Sequence, residues 1–125
     1  MTLEQVQQIV NDCLTLITVD GKGLNEARER AAKFLTANAL LANYMHELEV
    51  ELGKHETVTE LAFSQAIQES DGKNIAEKKA HVIQNPLYRK ELEMLKELEA
   101  RKNWVKTQMK VLENAHLMFR QFARD

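Results

Sequence analysis

The stretch Leu24–Leu52, LNEARERAAKFLTANALLANYMHELEVEL, decides the fold. Within it Ala27, Ala31, Phe34, Asn38, Leu41, Met45, Leu48 and Leu52 recur in alternating steps of four and three. That spacing puts them on one stripe of a helix, whereas a half-buried strand would alternate with a period of two. The stripe is a heptad seam, and a seam implies a partner helix. The small side chains of Ala27 and Ala31 let that partner approach closely at one end. Asn38 interrupts the seam; a lone polar residue there either sets register or lies at a solvent-reachable edge. Gly53, followed by Lys54 and His55, is expected to end this helix.

Upstream, a first helix is expected from Leu3 to Ile17, with Thr2 as N-cap and Gln5 completing a capping box. Val6, Ile9, Val10, Cys13, Leu14 and Ile17 line one stripe, and Asp20-Gly21-Lys22-Gly23 breaks it. Downstream, a shorter helix is expected over Val58–Gln68, capped by Thr57 with Glu60 at the box position. Leu61, Ala62, Phe63, Ala66 and Ile67 form its apolar face. Ser70-Asp71-Gly72-Lys73 is the next break, and Asn74 with Glu77 caps another helix. Asn85-Pro86 marks a kink or a new start. From Leu87 to Ala123 there is neither Gly nor Pro, which reads as one long helix. Asp20–Glu26 and Asp71–Glu77 share D-G-K-x-[L/I]-x-E, either a duplicated unit or ordinary turn chemistry.

The resulting expectation is an all-α fold without a sheet: a helical hairpin or bundle in a single domain, residues 1–125, with a long C-terminal helix. Leu95, Leu98, Val105, Met109, Leu112 and Phe119 line one face of that helix. Trp104, Val111, Ala115, Met118 and Phe122 line the adjacent one. An apolar sector that wide implies two neighbours or another subunit. A homo-oligomer, at least a dimer, is therefore expected, with Val111, Ala115, Met118, Phe119 and Phe122 at the contact.

Composition narrows the function. Four glycines, one proline and 6% aromatic residues in 125 leave a chain dominated by helix formers. A lone Cys13 permits no intrachain disulfide, which favours a cytosolic setting, and reads as a small apolar core residue. Neither a signal peptide at Met1–Gln5 nor a membrane span is expected. Catalytic patterns are weak. Glu113 and His116 make one E-x-x-H where a four-helix di-iron site needs two pairs and further glutamates. Glu26 and Glu29 form an E-x-x-E with only Glu47, Glu49 and Glu51 as a loose second set, so a solvated face is the better reading. The D-G-K turns lack the phosphate-loop frame. No enzyme activity, metal or cofactor is expected.

Charge is unevenly spread. Residues 1–72 hold five Lys/Arg against twelve Asp/Glu, net −7; residues 73–125 hold twelve against seven, net +5. The asymmetry implies a basic binding face, head-to-tail pairing of unlike halves, or mutual neutralisation. Lys73, Lys78 and Lys79 cluster at the third break, and Arg89 and Lys90 follow Tyr88. Lys102, Lys106 and Lys110 recur at i, i+4, i+8 around Trp104. A cationic stripe beside an aromatic ring is the pattern of sequence-tolerant single-strand binding. Pairing with Glu97, Glu99 and Glu113, and a core position for Trp104, are the competing reading.

The run Lys73–Ala80, then Asn85-Pro86-Leu87-Tyr88, then a long helix bearing Trp104 and a Met/Phe-rich end, resembles small helical proteins of tailed-phage recombination and replication modules, notably UvsY-type recombination mediators. The resemblance covers about residues 30–125 and contains no rigid motif. It implies an oligomeric helical protein in the cytoplasm of a bacterial host cell. Such a protein binds single-stranded DNA and helps a recombinase past a single-strand-binding protein. Those mediators are basic in the central segment, whereas Glu47, Glu49, Glu51, Glu56 and Glu60 here face only Lys54. Strand binding would then fall to Lys73, Lys78, Lys79, Lys102, Lys106 and Lys110, with Trp104 as a stacking ring. The alternative is a protein-only interaction module, such as a phage inhibitor of a host or defence protein, acting through the acidic segment.

Overall fold

The computed structural model describes residues 1–18, Thr18 by its backbone alone, and residues 23–124. Four helices and no strand occur among them: α1 (Leu3–Thr18), α2 (Leu24–Glu69), α3 (Ile75–Gln84) and α4 (Pro86–Arg124). The all-α class and the long last helix are as expected. The first D-G-K turn lies largely outside the described residues.

Local chemistry accounts for most of the boundaries. Thr2 Oγ1 accepts from Gln5 N at 3.2 Å while Gln5 Oε1 accepts from Thr2 N at 2.8 Å, a reciprocal capping box. Asn74 Oδ1 accepts from Glu77 N at 2.9 Å, as the N-x-x-E pattern implies. Asn85 closes α3 through its N–H to Val82 O and opens α4 by accepting from Tyr88 N at 3.1 Å. Pro86 occupies the first helical position, where its missing N–H costs nothing.

The expected break at Gly53 does not occur. α2 runs unbroken from Leu24 to Glu69, so the separate helix over Val58–Gln68 and the Thr57 cap are corrected. Thr57 Oγ1 donates to Gly53 O and Thr59 Oγ1 to His55 O, the back-bonding of threonines inside a helix. A glycine in a helix interior costs only about 1 kcal/mol. Here the buried or partly buried positions Leu48, Leu52, His55, Thr59, Ala62 and Ala66 continue the four-three spacing across it. Leu61, expected on the apolar face, is 65% exposed because it lies opposite that continued seam.

The helices form two compact units, and α2 and α4 contribute to both. The first comprises Met1–Glu47 with Asn103–Asp125. Its core holds Val6, Val10 and Cys13 of α1, Phe34, Ala37, Leu41 and Tyr44 of α2, and Val105, Leu112, Ala115 and Phe119 of α4. Phe34 and Phe119 meet at 5.4 Å between ring centroids, and the Arg30 guanidinium lies 5.6 Å over the Phe119 ring. Arg30 also donates to Leu16 O at 2.9 Å, satisfying a carbonyl in the last turn of α1. His116 Nδ1 donates to Ala31 O at 2.8 Å, tying α4 to α2. The second unit, Leu48–Lys102, is built on Leu48, Thr59, Ala62, Ala66 and Val82. There Phe63 packs edge-on against Tyr88 at 5.5 Å, and His55 Nε2 donates to Glu91 O at 3.0 Å with the Glu91 carboxylate 3.1 Å away.

Candidate nucleic-acid interface

In the second unit the turn between α2 and α3, with the first half of α3, carries the first lysine group. Its shape is set by Gly72. A Cβ there would sit 2.8 Å from Lys78 N and 3.0 Å from the carbonyl carbon of Glu77, so only glycine allows this approach to the first turn of α3. Ser70 Oγ accepts from Gly72 N and shares a hydrogen bond of 2.8 Å with His81 Nδ1. Glu77 Oε2 accepts from Lys73 N at 2.6 Å. The N–H groups of Gly72, Lys73 and Glu77 are thus already taken within the turn. A phosphate arriving here would meet ammonium groups rather than an open cradle of backbone amides. Lys73 and Lys79 are exposed, Lys78 is partly so, and none of the three makes an ion pair among the described residues.

The lysine stripe of α4 is divided between the units. Lys102, in the second, is partly buried and lies 3.9 Å from Glu49. Lys106 and Lys110, in the first, are exposed; Lys110 is 3.9 Å from Glu113, and Lys106 has no ion pair among the described residues. Both line an open groove of about 600 Å³ with Asn38, Met109 and Val111. Asn38 Oδ1 is buried there without a hydrogen-bond partner among the described residues. The seam asparagine is therefore an edge residue of a groove.

Aromatic rings do not accompany the charge as the sequence pattern implied. Trp104 is partly buried, the Tyr88 ring is against Phe63, and Phe34 and Phe119 are core. Phe122, 52% exposed, is edge-on to Phe119 at 5.6 Å. Of the residues expected at a subunit contact, Ala115 and Phe119 are 5% and 4% exposed and belong to the first unit's own core. Periodicity marks an apolar face without saying which helix covers it, and α2 covers this part. Val111 is partly buried; Met118 and Phe122 remain exposed.

Other candidates resolve as structural. Burial pushes the Cys13 thiol above its usual range, with neighbouring Asp12 adding to the effect, so it stays protonated and unreactive at neutral pH. Glu26, Glu29, Glu47, Glu49, Glu51, Glu56 and Glu60 are all exposed. No group of three or more His, Cys, Asp or Glu side chains converges among the described residues. No described helix is long and apolar enough to cross a membrane.

Sequence reading missed the exposed aliphatic residues of the second unit: Val50 and Val58 on α2, Ile75 and Ile83 on α3, and Leu87 at the start of α4. For Val50 and Val58 the available signal was their position off the α2 seam set by Leu48 and Leu52. Compared with protein families, curated proteins and solved structures, the chain gives no match.

Proposed function

We propose that this chain is a non-enzymatic accessory protein of the phage recombination or replication type that binds single-stranded DNA by charge. The observation that carries the reading is the group Lys73, Lys78 and Lys79, at the α2–α3 turn and in the first half of α3, three cations without ion-pair partners among the described residues. Unneutralised lysines draw phosphates because counterions are released from the strand, a force that needs no base contact. Lys106, without an ion pair among the described residues, offers a further cation in the first unit. Trp104 is a packing residue in this reading, so binding has little base preference. Fluorescence anisotropy of a labelled oligonucleotide tests it. Wild type binds at low salt, and Lys73→Glu/Lys78→Glu/Lys79→Glu abolishes binding while leaving helicity unchanged. Equal binding by the triple variant overturns the assignment.

A second reading, a protein-only interaction module, is favoured by a different observation. The acidic residues Glu49, Glu51, Glu56 and Glu60 are exposed on the same stretch of α2 as Val50, Val58 and Leu61. An absence of strand binding at any salt concentration moves attention to that face.

A further inference from the structure

In the first unit α4 keeps its charges apart from one of its apolar stripes. Trp104, Val111, Met118 and Phe122 fall within about 40° of one another at 100° per residue. Lys106, Lys110, Glu113, Arg120 and Arg124 take the other side, none closer to that stripe than about 80°. Met118 and Phe122 are 40% and 52% exposed, and Trp104 and Val111 are partly so. α1 repeats the arrangement. Leu14, 40% exposed, shares a flank with exposed Gln7, while the acids Glu4 and Asp12 lie about 80° and 160° from it.

Both stripes are turned away from α2. His116, which donates to Ala31 O, marks the side of α4 that meets α2, and the α4 stripe lies about 120–160° from it. On α1, Ile9 and Leu16 line a recess with Lys33 of α2, and Leu14 lies about 140–160° round the helix from them. The three helices share one core, so these two outer flanks adjoin. Arg30 bonds Leu16 O and covers the Phe119 ring, which sets Leu14 about level with Met118. The two flanks make one face of apolar and uncharged polar side chains, with no charged residue within it among the described residues.

We propose that this face is the contact of a two-fold symmetric dimer, its occupant a second copy of this chain. The absence of charge selects that occupant. Like faces meet here without like-charge repulsion, and charge depletion with Met and aromatic enrichment is the composition of an interface centre. A nucleic-acid strand or an anionic lipid surface needs cations that the face lacks. Size agrees with the assignment. α1 has 16 residues, so it is about 24 Å long, and two helices side by side are about 20 Å wide. The face covers about 500 Å² per copy, about 1,000 Å² over both, which is the lower bound of a specific contact. With the two-fold axis along the helices, Leu14 of one copy meets Met118 and Phe122 of the other.

Sedimentation velocity on the full chain without nucleic acid tests the proposal. Wild type is expected to form a dimer and nothing larger, because pairing uses up an isologous face. Met118→Glu and Gln7→Glu each put two carboxylates into the contact, one per copy. Both variants are expected to stay folded by circular dichroism and to weaken the dimer by at least about tenfold. Gln7 is exposed, so its variant separates assembly from folding. Leu117→Glu is the control: Leu117 is 51% exposed and next to Met118 in sequence, but it lies on the charged side of α4, and this variant is expected to dimerise like wild type. Added salt is expected to leave the dimer intact, since no ion pair crosses the face. Lys73→Glu/Lys78→Glu/Lys79→Glu is expected to dimerise normally, so strand binding and dimerisation fail separately. A monomeric wild type at its highest soluble concentration would overturn the proposal and leave the face to another protein. A dimer that dissolves with salt, or one that Leu117→Glu disrupts as much as Met118→Glu, would also overturn it.

Discussion

Gly53 and Gly72 make opposite predictions under the same substitution. Gly53 sits inside α2 with helical backbone sign, and nothing lies within 4 Å of where its Cβ would be. Replacing it with alanine removes unfolded-state freedom and adds helix propensity without a clash, so Gly53→Ala is expected to stabilise the protein by about 0.5–1 kcal/mol. For a chain of this length that raises the melting temperature by about 2–6 °C. Gly72 is the converse. A Cβ there would lie 2.8 Å from Lys78 N and 3.0 Å from Glu77 C, both backbone atoms that cannot swing aside. Gly72→Ala is therefore expected to cost about 1–3 kcal/mol through displacement of the turn. Urea titrations followed by far-UV circular dichroism read both values. A destabilising Gly53→Ala would mean that α2 is broken at Gly53 as the sequence alone implied. A neutral Gly72→Ala would mean that the turn does not approach α3 as described.

Three further outcomes follow from the cores. Phe119→Ala is expected to cost about 3–5 kcal/mol, because the ring is buried against Phe34 and Arg30, while Phe122→Ala stays within about 1 kcal/mol; denaturation midpoints decide between this and a subunit contact at Phe119. Trp104→Ala is expected to lower stability by about 1–3 kcal/mol and leave strand affinity unchanged, which combined urea and anisotropy titrations separate. Cys13 is expected to resist alkylation in the folded protein and react rapidly in urea. Its folded pKa is raised, so the stability linked to the neutral thiol is fully present below the ordinary thiol range and is lost as pH rises through the folded value. Cys13→Ala removes that alkaline loss, which midpoints measured across the alkaline range would show.

How much was legible in the sequence depended on how local the determining chemistry was. The Thr2–Gln5 box, the Asn74–Glu77 cap and the Asn85-Pro86 junction involve residues at most three apart, and each is formed as read. The seam from Ala27 to Leu52 is real, but Ala37 and Tyr44 are buried where Asn38 and Met45 are only partly so. The stripe marks a direction, and two neighbours in the first unit widen it on one side. Gly53 misled because its penalty is about 1 kcal/mol, less than the burial of Ala62, Ala66 and Thr59 that continuing the helix secures. For the candidate interface, the clustering of the lysines matched the exposure of Lys73, Lys79, Lys106 and Lys110 and not that of Lys78 and Lys102, which are partly buried. Whether Phe119 faced another subunit or α2 depended on contacts between α2 and α4, as in the Ala31–His116 pair 85 residues apart along the chain.

The salt dependence of oligonucleotide binding tests the proposed function most directly. If Lys73, Lys78 and Lys79 each neutralise a phosphate, the logarithm of affinity falls with the logarithm of salt concentration with a slope of about −2 from these three alone. The triple charge reversal should then flatten that slope along with abolishing most of the affinity. Binding that is absent at low salt, or a slope that the Lys73→Glu/Lys78→Glu/Lys79→Glu variant leaves unchanged, would contradict strand recognition by this turn.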